Sequence, residues 1–237
     1  MTTPSQNPLY SARSGALPAM SGSGDPRSGK TYNPCMTERP SGTEGYGETA
    51  DERVRQYESV AFADVHRDIL PLFPTTPSRV IDIGAGTGRD AAAFARLGHT
   101  VTAVEPTPEL RSHGQWLHAR SPIAWIDDSL PDLDRVRATG ERYDLVMLTG
   151  VWMHLDQPER ERAMGRVASL LRPGGLMALS LRHGPVPAGR RMFEVSAAET
   201  RELAARHGLA AVHESDGAAL LGGPTVWWSR LAFRAQR

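Results

Sequence analysis

From residue 79 onward the chain alternates short continuous apolar runs with stretches whose apolar residues recur every three or four positions. The first run, Val80-Ile81-Ile83, suits a parallel strand covered on both faces. It leads through Gly84, Gly86 and Gly88 into an alanine-rich helix over 90–97, closed by Gly98. The same alternation predicts strands over 100–105, 123–126, 143–148 and 176–181, with helices over 108–119, 157–171 and 197–207 between and after them. A Pro-bounded stretch over 130–138 bridges the third strand to the fourth, and Arg172-Pro173-Gly174-Gly175 reads as a tight turn. Two last strands, 210–214 and 226–233, are separated by a segment with no clear helix, which suits antiparallel pairing better than a parallel crossover. Upstream, Val54, Tyr57, Val60, Phe62, Val65, Ile69 and Leu70 predict one or two helices over 50–73, ended by Pro71 and Pro74.

The pattern therefore predicts an α/β fold in three parts. Residues 1–45, rich in Ser, Gly and Pro, lack the apolar surface to offset ordering and read as a disordered tail. Residues 46–74 read as a helical lid, and 75–237 as the α/β domain. The tail carries Gly24-Asp25-Pro26-Arg27-Ser28-Gly29-Lys30-Thr31, which satisfies a phosphate-binding loop pattern. A working loop needs a hydrophobic strand before it and a helix after it, and neither flank supplies one.

Composition narrows the chemistry. Lys+Arg and Asp+Glu are equal at 27 each, so no net charge favours nucleic acid or anionic lipid. Lys30 is the only lysine, and Cys35 the only cysteine, which excludes an internal disulfide or a Cys-x-x-Cys pair. No His/Asp/Glu cluster has metal-ligand spacing. No apolar run reaches a membrane-spanning length and no signal-peptide layout opens the chain, so a cytoplasmic protein is expected, monomeric or homodimeric.

Candidate chemistry gathers at the strand ends, where open α/β sheets bind ligands. The glycine turn lets backbone approach a ligand, and the helix after it offers free N–H groups. Glu105 lies about 20 residues on, where a carboxylate accepts from a ribose diol. Asp127-Asp128, Thr149-Gly150 and Arg182-His183 end the next three strands. A dinucleotide fingerprint would place its third glycine where Arg89 stands, so adenosine with a small polar tail fits better. A nicotinamide-dependent oxidoreductase and a binding module without turnover remain the alternatives.

Ile81-Asp82-Ile83-Gly84-Ala85-Gly86-Thr87-Gly88 with Glu105, then Tyr143-Asp144-Leu145-Val146, then Leu171-Arg172-Pro173-Gly174-Gly175-Leu176, resembles the class I S-adenosylmethionine-dependent methyltransferases. The resemblance implies a Rossmann-like three-layer sandwich whose seven-stranded, mostly parallel sheet ends in an antiparallel strand. It also implies S-adenosylmethionine as methyl donor, held by Asp82, Gly84, Ala85, Gly86, Gly88, Glu105, Asp127, Asp128 and Thr149. Shorter stretches around Gly88, Trp125, Val151 and Ser180 are similar to bacterial methyltransferases of small molecules, which leaves the acceptor open. Candidate bases are His154 and His183, with His66 of the lid as a third; His113, His118, His207 and His213 read as surface. Tyr57, Trp152 and Arg182 are candidate acceptor contacts: a phenol cap, an aromatic stack and a carboxylate grip. One of Trp227 and Trp228 is expected in the core.

Overall fold

The computed structural model describes residues 40–221 and 223–236. The phosphate-loop pattern and most of the predicted tail lie outside them. Seven strands form one sheet: β1 (Arg79–Ile83), β2 (Thr100–Val104), β3 (Ile123–Ile126), β4 (Tyr143–Thr149), β5 (Leu171–His183), β6 (Leu209–Ala218) and β7 (Trp227–Ala235). Their order is β3-β2-β1-β4-β5-β7-β6. The first five are parallel, and β7 runs antiparallel to both β5 and β6. The helices are α1 (Ala50–Glu58), α2 (Phe62–Val65), α3 (Arg89–Arg96), α4 (Pro108–Leu117), α5 (Asp134–Ala138), α6 (Gln157–Leu170) and α7 (Ala197–Arg206).

The two-residue period of the strands divides the interior. Ile81 and Ile83, Val146 and Leu148, and Met177 and Leu179 face one cluster, which takes Ala163, Met164 and Val167 of α6 and Leu203 of α7. Val80, Leu145, Met147, Leu176 and Ala178 face the other, against Ala91 and Phe94 of α3 and Phe62, Ile69 and Phe73 upstream. Both faces are thus covered, as the unbroken apolar runs require.

Strand order reverses at β1. The chain leaves β1 for β2 and β3 on one side and returns to β4 on the other, which opens a crevice beyond the carboxyl ends of β1 and β4.

Several boundaries differ from the sequence pattern. The helical stretch over 50–73 breaks into α1, α2 and a 3-10 turn at Leu70–Leu72. Pro71 lacks the N–H to continue a helix. The turn at Arg172–Gly175 is absorbed into β5 as a register shift opposite Tyr143 and Leu145. Residues 40–49, partly assigned to the tail, form turns that lie against the sheet's carboxyl edge, with Thr43 buried.

Candidate active site

A cavity of about 460 Å³ opens at this crevice. Its floor is the turn after β1. Gly84 and Ala85 both donate to the Val104 carbonyl, at 2.8 and 2.9 Å. Gly84 (φ 72°) and Gly86 (φ 57°) are left-handed, a conformation that favours glycine. A Cβ on Gly84 would come within 2.4 Å of Val151 Cγ2. One on Gly86 would reach 3.6 Å from Tyr57 Cε2, filling the gap between turn and ring. Gly88 is different. It caps α3 outside the cavity, and a Cβ there would strike Trp125 at 2.7 Å. Packing requires that glycine, and the structure does not bring it to a ligand.

Glu105, at the tip of β2, is buried with each oxygen tethered: Gly86 N donates to Oε2 (2.7 Å) and Thr107 N to Oε1 (2.8 Å). Each oxygen keeps a further lone pair for a ligand. Burial pushes this carboxyl above its ordinary range, while the two N–H groups and Arg111 pull the other way. Of the two acids after β3, only Asp128 lines the cavity. Its oxygens accept from Ser129 N (2.8 Å) and Val136 N (2.9 Å), so it also fastens the loop before α5. Asp127 turns outward between Arg111 (3.1 Å) and Arg135 (3.5 Å), which corrects its expected contact with the cofactor. β3 has ended at Ile126, and the two neighbours then go to different partners.

Beneath the turn lies a buried polar network. Asp90 receives His66 Nε2–H at 2.7 Å, Arg89 Nε–H at 2.7 Å and the Thr149 hydroxyl at 3.1 Å. Burial alone would raise the Asp90 carboxyl, but Arg89 and His66 hold it well below the carboxylate range. Burial, then the charge of Asp90, pushes the Asp82 carboxyl well up. His66 thus spends its Nε2 on Asp90, and Thr149 presents the cavity a hydroxyl whose proton is committed. His118, read as surface, is largely buried 3.7 Å from Glu58, which also accepts from Thr87.

The outer end of the cavity is built from segments far apart in sequence. α1 contributes Arg53, Gln56 and Tyr57. Arg53 donates through Nη1 to Gln56 Oε1 at 2.8 Å, while its buried Nε has no hydrogen-bond partner. Burial drives the Tyr57 hydroxyl's pKa upward, so it stays protonated. His154 lines the wall with both ring nitrogens engaged: Nδ1–H donates to the Arg191 carbonyl (2.7 Å), and Nε2 accepts from the Tyr46 hydroxyl (3.0 Å). Arg182 reaches the cavity while donating to the Pro185 carbonyl (2.9 Å).

Two expected contacts are not brought here. Trp152 is fully buried among Met153, Leu155 and Met164 in the core, with its indole N–H unpartnered. The 3-10 turn at Trp152–His154 points it inward and His154 outward. His183 stacks on Trp227 (3.8 Å) and donates to Ser229 (2.9 Å), outside the cavity. At the end of β5 its side chain lies across the sheet from Arg182. Trp228, given no role from sequence, lines the cavity instead and is partly buried, while Trp227 is exposed, so neither is the core residue expected of the pair. Tyr46, Arg53, Arg190 and Met192 line it too, and no motif marked them. Among the described residues no group of three His, Cys, Asp or Glu side chains could hold a metal ion, and no helix is long and apolar enough to cross a membrane.

A family model described as a methyltransferase domain matches residues 54–214. Among curated proteins, the chain is 33% identical over 118 residues to a ubiquinone biosynthesis O-methyltransferase of Cereibacter sphaeroides, covering 50% of this chain and 47% of that one. It is 27% identical over 135 residues to glycine N-methyltransferase of Rattus norvegicus, covering 48% and 46%. The chain thus spans about half the length of these relatives. Among solved structures, the 1,6-didemethyltoxoflavin-N1-methyltransferase of Burkholderia thailandensis, with bound 1,6-didemethyltoxoflavin and S-adenosylhomocysteine, superposes with a TM-score of 0.57 at 23% identity. It covers 79% of this chain and 87% of that one.

Proposed function

The chain belongs to the methyltransferase-domain family, and we propose that it binds S-adenosylmethionine at this crevice and methylates a small molecule. The observation that carries the reading is Glu105, tethered under the Gly84–Gly86 turn at the point where strand order reverses. The residues present fit the donor in kind. A ribose diol would donate to the free lone pairs of Glu105. Backbone at Gly84 and Gly86 gives close approach where a Cβ would fill the space, and Ala85 between them lines the cavity. The unpartnered Arg53 Nε suits the amino-acid carboxylate, with Tyr57 beside it. Leu110, Leu130 and Asp128 would receive the base. The bound donor supplies a methyl group on a positively charged sulfur, open to in-line displacement.

The protein's own task is then to hold the acceptor in line and exclude water. The segment over 46–74 would act as a lid through α1, whose Arg53, Gln56 and Tyr57 roof the cavity. The names of the relatives, one an O- and one an N-methyltransferase, support small-molecule acceptors without choosing the atom.

Titration calorimetry with S-adenosylhomocysteine tests the reading. Wild type should bind, and Glu105→Gln should weaken affinity about tenfold to a hundredfold, the worth of a hydrogen bond to a charged group. Absence of binding to wild type, or equal affinity in the variant, would overturn it. A binding module without turnover would bind equally well yet move no labelled methyl group to any acceptor in a metabolite extract.

A further inference from the structure

We propose that Tyr46 takes the proton from the methyl acceptor while passing its own to His154, and that the acceptor is a planar molecule bearing an acidic hydroxyl, of the phenol or enol class. The inference rests on the methyl-transfer reading and adds the acceptor's chemistry to it.

Hydrogen-bond logic fixes the direction of the pair. A carbonyl only accepts, so the 2.7 Å contact with the Arg191 carbonyl places the proton of His154 on Nδ1. Nε2 is then the acceptor, and the Tyr46 hydroxyl donates into it at 3.0 Å. The Arg191 carbonyl is held firmly, because its side chain is clamped by Glu159 (2.8 Å), Asp156 (3.0 Å) and the His154 carbonyl (2.6 Å). Tyr46 lines the cavity, and with its proton committed to His154 its oxygen keeps lone pairs to accept another.

Burial keeps Tyr46 a protonated phenol at rest, so the proton it receives must replace the one it passes on. The Arg190 guanidinium lies 3.6 Å over the Tyr46 ring. It is held there by two neutral oxygens, the Glu44 carbonyl and Thr49 Oγ1, both at 2.9 Å. Burial raises the Tyr46 hydroxyl first, with a lesser push from Glu105, while Arg190, Arg53 and Tyr57 lower it. Facing His154 are Tyr46, Arg190, Arg191 and Glu44; burial, the largest influence, lowers its pKa, so the resting ring is neutral at neutral pH and its Nε2 lone pair points at the Tyr46 hydroxyl.

The same charges select the acceptor. Arg182 and Arg190 both act on the space around Tyr46. A cationic amine would be repelled there, whereas an oxygen acid gains as it ionises. A soft thioether or tertiary amine has no proton for the pair to take. Val151, Met192, Leu220, Leu221 and Trp228 give the cavity an apolar and partly flat lining, which suits a ring. In the step, the acceptor O–H proton moves to the Tyr46 oxygen and the Tyr46 proton to His154 Nε2. The acceptor oxygen bonds the methyl carbon as the carbon–sulfur bond breaks, its electron pair remaining on sulfur. The products are a methyl ether, a neutral thioether and an imidazolium.

The test uses 4-nitrophenol, whose absorbance reports ionisation, with the full chain saturated by S-adenosylhomocysteine. Wild type should bind the probe and make it about tenfold more ionised, one pKa unit, than in buffer at the same pH. Tyr46→Phe, which keeps the ring under Arg190, and His154→Gln should each abolish that shift while melting temperature and S-adenosylhomocysteine affinity stay near wild type. An unchanged shift in Tyr46→Phe, or wild type that leaves the probe unbound or un-ionised, would overturn the proposal. Failure of S-adenosylhomocysteine itself to bind would remove the methyl-transfer reading beneath it. If His154→Gln does not fold, Tyr46→Phe alone decides.

Discussion

Individual carboxyls in this protein are set apart by their neighbours. Asp82 and Asp90 are both buried on the α3 side of the sheet, yet only Asp90 has Arg89 and His66 beside it. Asp90 is held charged, and its charge helps keep a proton on Asp82. A carboxyl whose folded pKa is raised favours folding below its unfolded pKa of about 3.9, and that contribution is lost as pH rises toward the folded value. Asp82→Asn, which mimics the protonated form, should therefore gain stability relative to wild type between pH 4 and pH 7. Thermal melts of both proteins at the two pH values check this, and an equal difference at both would contradict it. Trp152 makes the opposite point about sequence. Its place after β4 suited a stacking surface and core packing equally, and it is core. Trp152→Ala should cost about 3–5 kcal/mol in denaturant melts. Trp152→Phe, which removes the unpartnered N–H, should cost less and leave S-adenosylhomocysteine affinity unchanged.

Among the elements, the turn from β1 into α3 was legible because its constraints are local. Three alternating glycines after an apolar run name the turn, and Glu105 names the partner that satisfies Gly86 N. Gly86→Ala should cost about 1–2 kcal/mol for left-handed strain. It should also narrow the gap to Tyr57, cutting S-adenosylhomocysteine affinity at least about tenfold with circular dichroism unchanged. Wild-type affinity in that variant would show that the gap is not used. Asp127 and Asp128 show where local reading stops. Which of two adjacent acids faces the crevice depends on how the chain leaves β3, and Arg111 and Arg135 on other elements claim Asp127. His183 likewise fails to reach the cavity because β5 continues as a strand to its last residue.

Across the whole molecule, the seven strands and the antiparallel pairing of the last two could be read because alternating elements and a helix-free final connection leave few topologies. The core also follows from strand period, since adjacent residues of β1, β4 and β5 feed opposite clusters. The outer end of the cavity could not be read in the same way. Tyr46 meets His154 across 108 residues, and Arg190 meets Thr49 across 141. Those pairings exist only once the turns at 40–49 and the loop after β5 have been folded over the crevice, and neither segment has the periodicity that marks an element. The donor end of the site is thus written in motifs, while the acceptor end is written in tertiary contacts.

A crystal structure of the full chain with S-adenosylhomocysteine tests the central claim most directly. The account predicts both ribose hydroxyls on Glu105, the amino-acid carboxylate at Arg53, and the sulfur facing the space beside Tyr46 and His154. A ligand seated elsewhere, or a ribose without contact to Glu105, would contradict it.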